Sequence, residues 1–173
     1  MSYFIATILG TGRKGANSEK VVEFVFEEAK NYGFDSELIK PRDWLDSPFT
    51  GEMNEEKWQK LSEIFKKADG FIIVSPEYNH SFPGELKLLL DNFYEEYAHK
   101  PVGICGVSAG KLGGARMVEQ LRLVCIEFSM IPLRNAVYFS EVQNFEKEKD
   151  SYKEFLKIMF DELKFYIEKL SRN

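Results

Sequence analysis

The sequence predicts a doubly wound α/β fold, in which a five-stranded parallel sheet of order 2-1-3-4-5 lies between two layers of helices. Three observations lead to this prediction. Five short apolar runs alternate strictly with longer segments of helical period, as in a parallel sheet with helical crossovers. Continuous runs among them are apolar on both faces, as strands of a covered parallel sheet are. The length of 173 residues suits one such unit, so we expect a single domain over residues 1–173.

Continuous hydrophobicity predicts where the strands lie. The run from Phe71 to Val74 contains no polar residue, as expected for a strand that is buried on both sides. The second of the five runs is more polar than the others. The predicted strands span residues 3–9, 34–39, 70–74, 102–107 and 133–139.

Apolar residues spaced three and four apart predict the helices between these strands. The stripes are Val21, Val22, Val25, Phe26 and Ala29; Trp58, Leu61, Ile64 and Phe65; Leu86, Leu89, Leu90, Phe93 and Tyr97; and Met117, Leu121, Val124 and Phe128. A final helix is predicted over 150–170. The longest irregular segment, 41–53, contains Trp44 and Phe49, and we expect a loop that packs on the surface through these rings.

Composition and charge exclude several classes of protein. Hydrophobic residues make up 44% of the chain and Phe occurs 15 times, which excludes a disordered or collagen-like polypeptide. The net charge of −5 provides no broad basic face, so nucleic acid is not an expected partner. No apolar stretch is long enough to cross a bilayer, so we expect no membrane span and a cytoplasmic location.

Cysteine usage argues against a metal centre. Cys105 and Cys125 are the only two cysteines, and they do not form a CxxC pair. The sequence therefore predicts neither a metal site nor a disulfide framework. We expect both thiols to be reduced and buried, as free cysteines in a core are.

The loop after the first strand is a candidate phosphate site. Residues 10–18 have the sequence GTGRKGANS, and the next helix is expected to begin at Asn17 or Ser18, either of which could cap it. The loop contains GxGxxG, but the second strand ends in LIKP, with no acidic residue to hold a ribose, so the dinucleotide fingerprint is a weak match. A P-loop fails as well, because Gly15 is not followed by Lys and a hydroxyl residue.

A monophosphate fits this loop better than a pyrophosphate. Hydroxyl, amide and guanidinium groups converge there with backbone N–H groups on a helix N-terminus, an arrangement that attracts a dianion. These groups belong to Thr11, Arg13, Asn17 and Ser18. The alternative interpretation is a plain glycine-rich turn with an arginine at the surface.

Two further loops are expected beside the phosphate, because doubly wound sheets bind ligands beyond the carboxyl ends of their strands. The third strand leads into 75–84, SPEYNHSFPG, where an aromatic ring and stiffening prolines suit a flat ligand. The fourth strand leads into 108–116, SAGKLGGAR, whose glycines allow backbone N–H groups to approach the edge of a ring.

Together these motifs resemble those of the NADPH-dependent FMN reductase family of flavodoxin-like flavoproteins. The resemblance is carried by the glycine-rich loop that ends in Ser18, PEYN at 76–79, PGxLK at 83–87 and SxGxxGG at 108–114. The motifs occur in the family's order over about residues 3–140. The chain departs from the family at Gly12, where members often carry a bulkier residue.

The resemblance implies that FMN is the cofactor and that NAD(P)H is the reductant. By that resemblance the FMN phosphate would be held by Thr11, Arg13, Asn17 and Ser18. The isoalloxazine ring would be bordered by Pro76, Glu77, Tyr78 and Asn79. The flavin site would also be lined by Ser108, Gly110, Lys111, Gly113 and Gly114.

The activity that the resemblance implies is that of an FMN-dependent NAD(P)H oxidoreductase. Hydride would pass from nicotinamide to the flavin, and electrons would go on to a small-molecule acceptor such as a quinone, an azo compound, a metal oxyanion or free flavin. Because the flavin carries the chemistry, we predict no side chain as a catalytic acid, base or nucleophile. Two alternatives stay open at this stage: a flavodoxin-type electron carrier, and a flavin-binding regulatory protein without NAD(P)H turnover.

The helix beginning at Gly84 is more apolar than one buried stripe requires. Leu88 and Tyr94 fall outside the stripe that faces the sheet, so we expect a second buried face. Similar proteins are dimers or tetramers through this region, so the resemblance implies a homodimer or homotetramer. The alternative is that this face packs under the loop that holds Trp44.

Overall fold

Residues 2–47 and 49–170 are described by a computed structural model, and they form a parallel sheet with helices on both faces. The strands are β1 (Phe4–Leu9), β2 (Asp35–Ile39), β3 (Gly70–Pro76), β4 (Pro101–Val107), β5 (Ile131–Pro132) and β6 (Val137–Phe139). Their order is β2-β1-β3-β4-β5, with β6 paired to β4 as a minor addition. The predicted fold class and strand order are therefore confirmed.

The helices follow the predicted alternation with the strands. They are α1 (Asn17–Tyr32), α2 (Pro41–Trp44), α3 (Glu55–Lys67), α4 (Gly84–Leu90), α5 (Ala115–Glu127), α6 (Phe145–Glu148) and α7 (Lys153–Leu170). Short 3₁₀ turns at Val142–Asn144 and Lys149–Tyr152 flank α6, so the last helix begins later than predicted. Within the described part of the chain, no helix combines the length and apolar character needed to span a membrane.

The predicted fifth strand, 133–139, is wrong in detail, because this edge of the sheet holds two short strands. β5 pairs with the start of β4, and β6 pairs with its end. Between them, the backbone N–H groups of Arg134 and Asn135 donate to the carboxylate of Glu162 at 3.0 and 2.9 Å. Because a side chain uses these donors, the backbone leaves the sheet after Pro132 and rejoins it at Val137.

The helix predicted through Tyr97 ends early, at Leu90. The side-chain amide of Asn92 donates to the carbonyl of Leu88 at 2.8 Å, so it takes the acceptor that the next backbone N–H of the helix would use. Phe93 and Tyr97 remain buried beyond the end of α4, as the stripe predicted, but irregular turns carry them there.

The segment 41–53 begins with a single helical turn, α2. The sequence analysis did not predict this turn, and Pro41 occupies its first position. Trp44 packs against the core as predicted. Phe49 is 90% exposed, so its predicted packing is wrong. Polar contacts hold this part of the loop instead: the N–H of Asp46 donates to the carbonyl of Glu52 at 2.8 Å.

Two apolar cores lie on opposite faces of the sheet. One contains the inward faces of α3, α4 and α5, and the other contains those of α1 and α7. Each core holds one cysteine, Cys125 and Cys105 respectively. Both are free and buried as predicted, and burial raises the pKa of the Cys105 thiol and raises that of Cys125 to about 12. Neither thiol is therefore poised to react at neutral pH.

Candidate functional site

A cavity opens at the carboxyl ends of β1, β3 and β4, which is where doubly wound sheets bind their ligands. It contains about 610 Å³ of empty space, part of it open to solvent. The loop after β1, the segment after β3 and the loop after β4 form its walls. Of the predicted site residues, those that line it are Arg13, Asn17, Ser18, Pro76, Glu77, Tyr78 and Ser108.

Thr11 belongs to the loop after β1 but does not line the cavity. Its side chain is fully buried, and its hydroxyl oxygen accepts the backbone N–H of Arg13 at 3.2 Å. The N–H of Gly10 donates to the carbonyl of Val74 at 2.7 Å, which fixes the start of the loop against β3. Thr11 therefore shapes the loop after β1, and its direct contact with a phosphate stays a prediction.

The hydroxyl of Ser18 is the group in the cavity wall that most directly indicates a bound ligand. The sequence analysis expected Asn17 or Ser18 to cap α1, and this expectation is wrong: Ala16 occupies the N-cap position, and no side chain caps the helix. The Ser18 hydroxyl is instead buried, with no hydrogen-bond partner within residues 2–47 and 49–170. A buried hydroxyl without a partner costs free energy. Its place in the cavity wall, at a helix N-terminus, fits a bound anion such as the FMN phosphate.

An ion pair that the sequence analysis missed holds the loop after β1 in place. The carboxylate of Glu19 accepts the backbone N–H of Gly15 at 3.1 Å and pairs with the guanidinium of Arg42 in α2. The hydrogen bond from Arg42 lowers the pKa of Glu19, so this carboxylate stays ionised at neutral pH. Gly15 has a φ of +70°, a conformation that glycine adopts without strain. No motif indicates the pair, because Glu19 and Arg42 are brought together by the fold.

Glu77 connects the wall after β3 to the wall after β4. Its carboxylate accepts the backbone N–H groups of Arg116 and Met117 at 3.2 and 3.4 Å and pairs with the Arg116 guanidinium at 3.3 Å. These N–H groups lie in the first turn of α5 and would otherwise lack an acceptor. The Glu77 side chain thus caps α5 while the residue itself borders the cavity.

Gly113 and Gly114 have a packing role that the sequence analysis did not foresee. A Cβ on Gly113 would lie 2.7 Å from the backbone of Tyr138, and a Cβ on Gly114 would lie 2.8 Å from the Val107 nitrogen. Both glycines also have positive φ, at +58° and +83°. They allow α5 to approach β4 and β6 closely, which explains both positions without a ligand.

The remaining predicted residues, Asn79, Gly110 and Lys111, do not line the cavity. Asn79 is exposed at the tip of a tight turn, and Lys111 is exposed in the loop after β4. The carbonyl of Gly110 accepts the Ser108 hydroxyl at 3.0 Å and the N–H of Glu141 at 3.1 Å, so Gly110 ties this loop to the segment after β6. Direct contact of these residues with a flavin stays a prediction.

Apolar wall residues were also missed. Val107, Ala109 and Val142 line the cavity together with Gly15 and Ala16. The N–H of Val142 donates to the carbonyl of Ser108 at 3.1 Å, which brings the chain after β6 to the cavity. Small apolar residues at the end of a strand carry no chemical signal in a sequence, so only the topology reveals them.

The sequence model of the family described as NADPH-dependent FMN reductase matches residues 4–144, a span that includes all three walls of the cavity. The chain belongs to this family. It is therefore an FMN-dependent NAD(P)H oxidoreductase, as the motifs implied.

Relatives with assigned names agree with the family. A quinone reductase of Pseudomonas putida is 28% identical over 185 residues, covering 98% of this chain and 97% of that protein. An NADPH azoreductase of a Bacillus species is 28% identical over 169 residues, covering 94% and 92%. The flavoenzyme FerB of Paracoccus denitrificans, an NAD(P)H:(acceptor) oxidoreductase, has a TM-score of 0.76 at 19% identity, covering 95% and 98%.

Replacing Arg13 tests the position of the phosphate. Arg13→Ala should raise the dissociation constant for FMN about tenfold or more, because a charge-assisted contact with a dianion is lost. Riboflavin, which has no phosphate, should bind parent and variant equally. Flavin fluorescence titration measures both constants.

The matched control for Arg13 is Lys14→Ala. Lys14 is the next residue, carries the same charge and is exposed, but it does not line the cavity. Lys14→Ala should leave the dissociation constants of both flavins unchanged. Equal losses of FMN and riboflavin affinity in Arg13→Ala would contradict the assignment of this loop to the phosphate.

Proposed function

We propose that the chain binds FMN in the cavity described above, with the phosphate at the N-terminus of α1 and the ring between the walls after β3 and β4. The observation that carries this proposal is the buried, unpartnered hydroxyl of Ser18 at an uncapped helix start. The charge of Arg13 at the same wall favours a dianion there. The segment Pro76–Tyr78 supplies the aromatic side of the ring site.

The protein's own contribution is to position the reactants. FMN, when bound, accepts hydride from NAD(P)H and passes electrons to an acceptor. No histidine or cysteine lines the cavity within the described residues, and the carboxylate of Glu77 is occupied by the first turn of α5. The lining therefore offers no activated nucleophile, and its role is to bind and orient the flavin.

The acceptor that we propose is a quinone or an azo compound. Curated relatives that cover almost the whole chain are named as a quinone reductase and an azoreductase, and both substrate classes are flat and conjugated. A cavity that is partly open to solvent suits an acceptor that stacks on an exposed ring face. Free flavin, also expected from the sequence, is supported only by the description of the family as an FMN reductase, and metal oxyanions have no specific observation in their favour.

A cytoplasmic location forms part of the proposal. Its support is the pair of free, buried thiols, which lie in different cores and form no disulfide. Proteins of reducing compartments typically keep their cysteines in this state.

We also propose a homo-oligomer, with an interface around Tyr94, Leu123 and Ile126. These side chains are 51%, 69% and 59% exposed, and large exposed apolar groups are typical of partner surfaces. The Tyr94 hydroxyl donates to the carbonyl of Glu127 at 2.9 Å, which places its ring beside the end of α5. Leu88 packs under the 41–53 loop against Gly51. The alternative stated for it in the sequence analysis, packing beneath the loop that holds Trp44, is therefore the one observed.

Anaerobic mixing of the FMN-loaded protein with NADPH tests the activity. We expect rapid loss of the flavin's visible absorbance and its return when a quinone is added, because electrons enter from NADPH and leave to the quinone. Free FMN at the same concentration is the control and should stay oxidised on this timescale. A protein that holds FMN but is not reduced by either NADPH or NADH would be an electron carrier or a regulator.

Light scattering tests the interface. Leu123→Asp should lower the molar mass of the protein in solution, because a charge placed in a buried apolar interface has no partner. Ile158→Asp is the matched control, since Ile158 is a 43% exposed aliphatic residue on α7, on the other face of the sheet. A monomeric parent at micromolar concentration would contradict the proposal.

A further inference from the structure

A two-residue hairpin projects from the wall after β3. The N–H of Tyr78 donates to the carbonyl of Ser81 at 2.8 Å, and the N–H of Ser81 donates back to the carbonyl of Tyr78 at 3.0 Å. The two residues between them, Asn79 and His80, have φ values of +49° and +70°. Two successive positive values are the mark of a type I′ turn.

The second position of this turn is less favourable for His80 than it would be for glycine. Asn and His adopt the left-handed conformation more readily than most non-glycine residues, but it is still uncommon for them, and glycine is the preferred partner after Asn in a type I′ turn. A backbone conformation of this kind persists only where surrounding contacts hold it. His80 is exposed, so packing around its own side chain does not supply those contacts.

Gln120 of α5 supplies them. Its carbonyl oxygen accepts the hydroxyl of Ser81 at 2.6 Å, and its amide nitrogen donates to the backbone carbonyl of His80 at 2.8 Å. One side chain thus holds two consecutive residues of the turn. Glu77 anchors the other end of the same segment to the first turn of α5. Tyr78, which lines the cavity, lies between these two attachments.

We propose that Gln120 is a positioning residue of the flavin site, acting through the turn at 78–81. It holds Asn79 and His80 in the left-handed conformation, and this keeps Tyr78 in the cavity wall where the ring is proposed to bind. The proposal rests on the proposed function, because it requires the ring to lie beside this wall. Gln120 itself does not line the cavity, so any effect on the flavin must be transmitted by the turn.

The position of Gln120 predicts a pattern of binding that differs from the one expected for Arg13. Loss of Gln120 loosens the wall beside the ring, which FMN and riboflavin share, so both flavins should bind more weakly. Gln120→Ala should raise both dissociation constants about fivefold, the size expected for two lost surface hydrogen bonds. Ser81→Ala removes one of the two contacts and should raise both constants about twofold.

A rescue experiment separates this role from a general structural one. His80→Gly places glycine where a type I′ turn prefers it, so the turn should keep its shape without Gln120. The double variant Gln120→Ala/His80→Gly should therefore bind both flavins within about twofold of the parent. A general loss of helix stability in α5 would not be repaired by a glycine that changes only the turn preference of the 78–81 loop.

The measurements are flavin dissociation constants for the FMN-loaded and riboflavin-loaded proteins, with thermal melting recorded for each variant. Glu119→Ala is the matched control, because Glu119 is the exposed neighbour of Gln120 on α5 and makes no contact with the turn among the described residues. It should bind both flavins like the parent.

Two results would overturn the proposal: parental affinity for both flavins in Gln120→Ala, or a loss that His80→Gly does not repair. Because the constants are measured without turnover, a parent that NADPH fails to reduce would contradict the proposed activity and leave this inference to be decided by binding alone.

Discussion

Neither α1 nor α5 is capped by the side chain of its own N-cap residue, and the site depends on how each N-terminus is satisfied. Ala16 precedes α1 and Gly114 precedes α5, and neither has a side chain that can accept a hydrogen bond. At α5 the acceptor is the carboxylate of Glu77 from a neighbouring loop. At α1 the cavity itself adjoins the helix start, with the Ser18 hydroxyl buried beside it. One N-terminus is thus satisfied by the protein and the other is available to an anion.

The close packing of α5 on the sheet explains why its cap comes from a neighbouring loop. A side chain at Gly114 would collide with the nitrogen of Val107, so none of the usual capping residues fits there. Glu77 takes over this task from the end of β3. As a result, the start of α5 and the wall that carries Tyr78 form one connected unit, and the contacts of Gln120 extend this unit to the tip of the loop.

Local patterns predicted the fold and the edge of the sheet at which the cavity lies. The apolar runs determine the strands, and the polar groups of 10–18 lie after β1, where the topology requires the ligand. The expected cap at Ser18 was wrong because a sequence does not indicate whether a hydroxyl at a helix start turns to the backbone or into a cavity. The division of the last strand depends on Glu162, which approaches it only in the folded chain.

The same limit applies to the residues that hold the site together. Arg42 reaches Glu19, and Glu77 reaches the first turn of α5, across separations that carry no periodic signal. Glu77 was assigned to the flavin site because it lies in the PEYN motif, whereas its side chain contacts protein backbone. Motifs therefore located the walls of the cavity, and long-range hydrogen bonds, which are invisible in the sequence, determine what each wall residue does.

The position of the FMN phosphate in an experimentally determined complex tests this account most directly. We expect a phosphate oxygen within hydrogen-bond distance of the Ser18 hydroxyl, at the N-terminus of α1. That contact would satisfy the buried group that has no partner in the described part of the chain. A complex in which the phosphate lies elsewhere, and the Ser18 hydroxyl bonds to protein or to water alone, would contradict the assignment of this helix start to the cofactor.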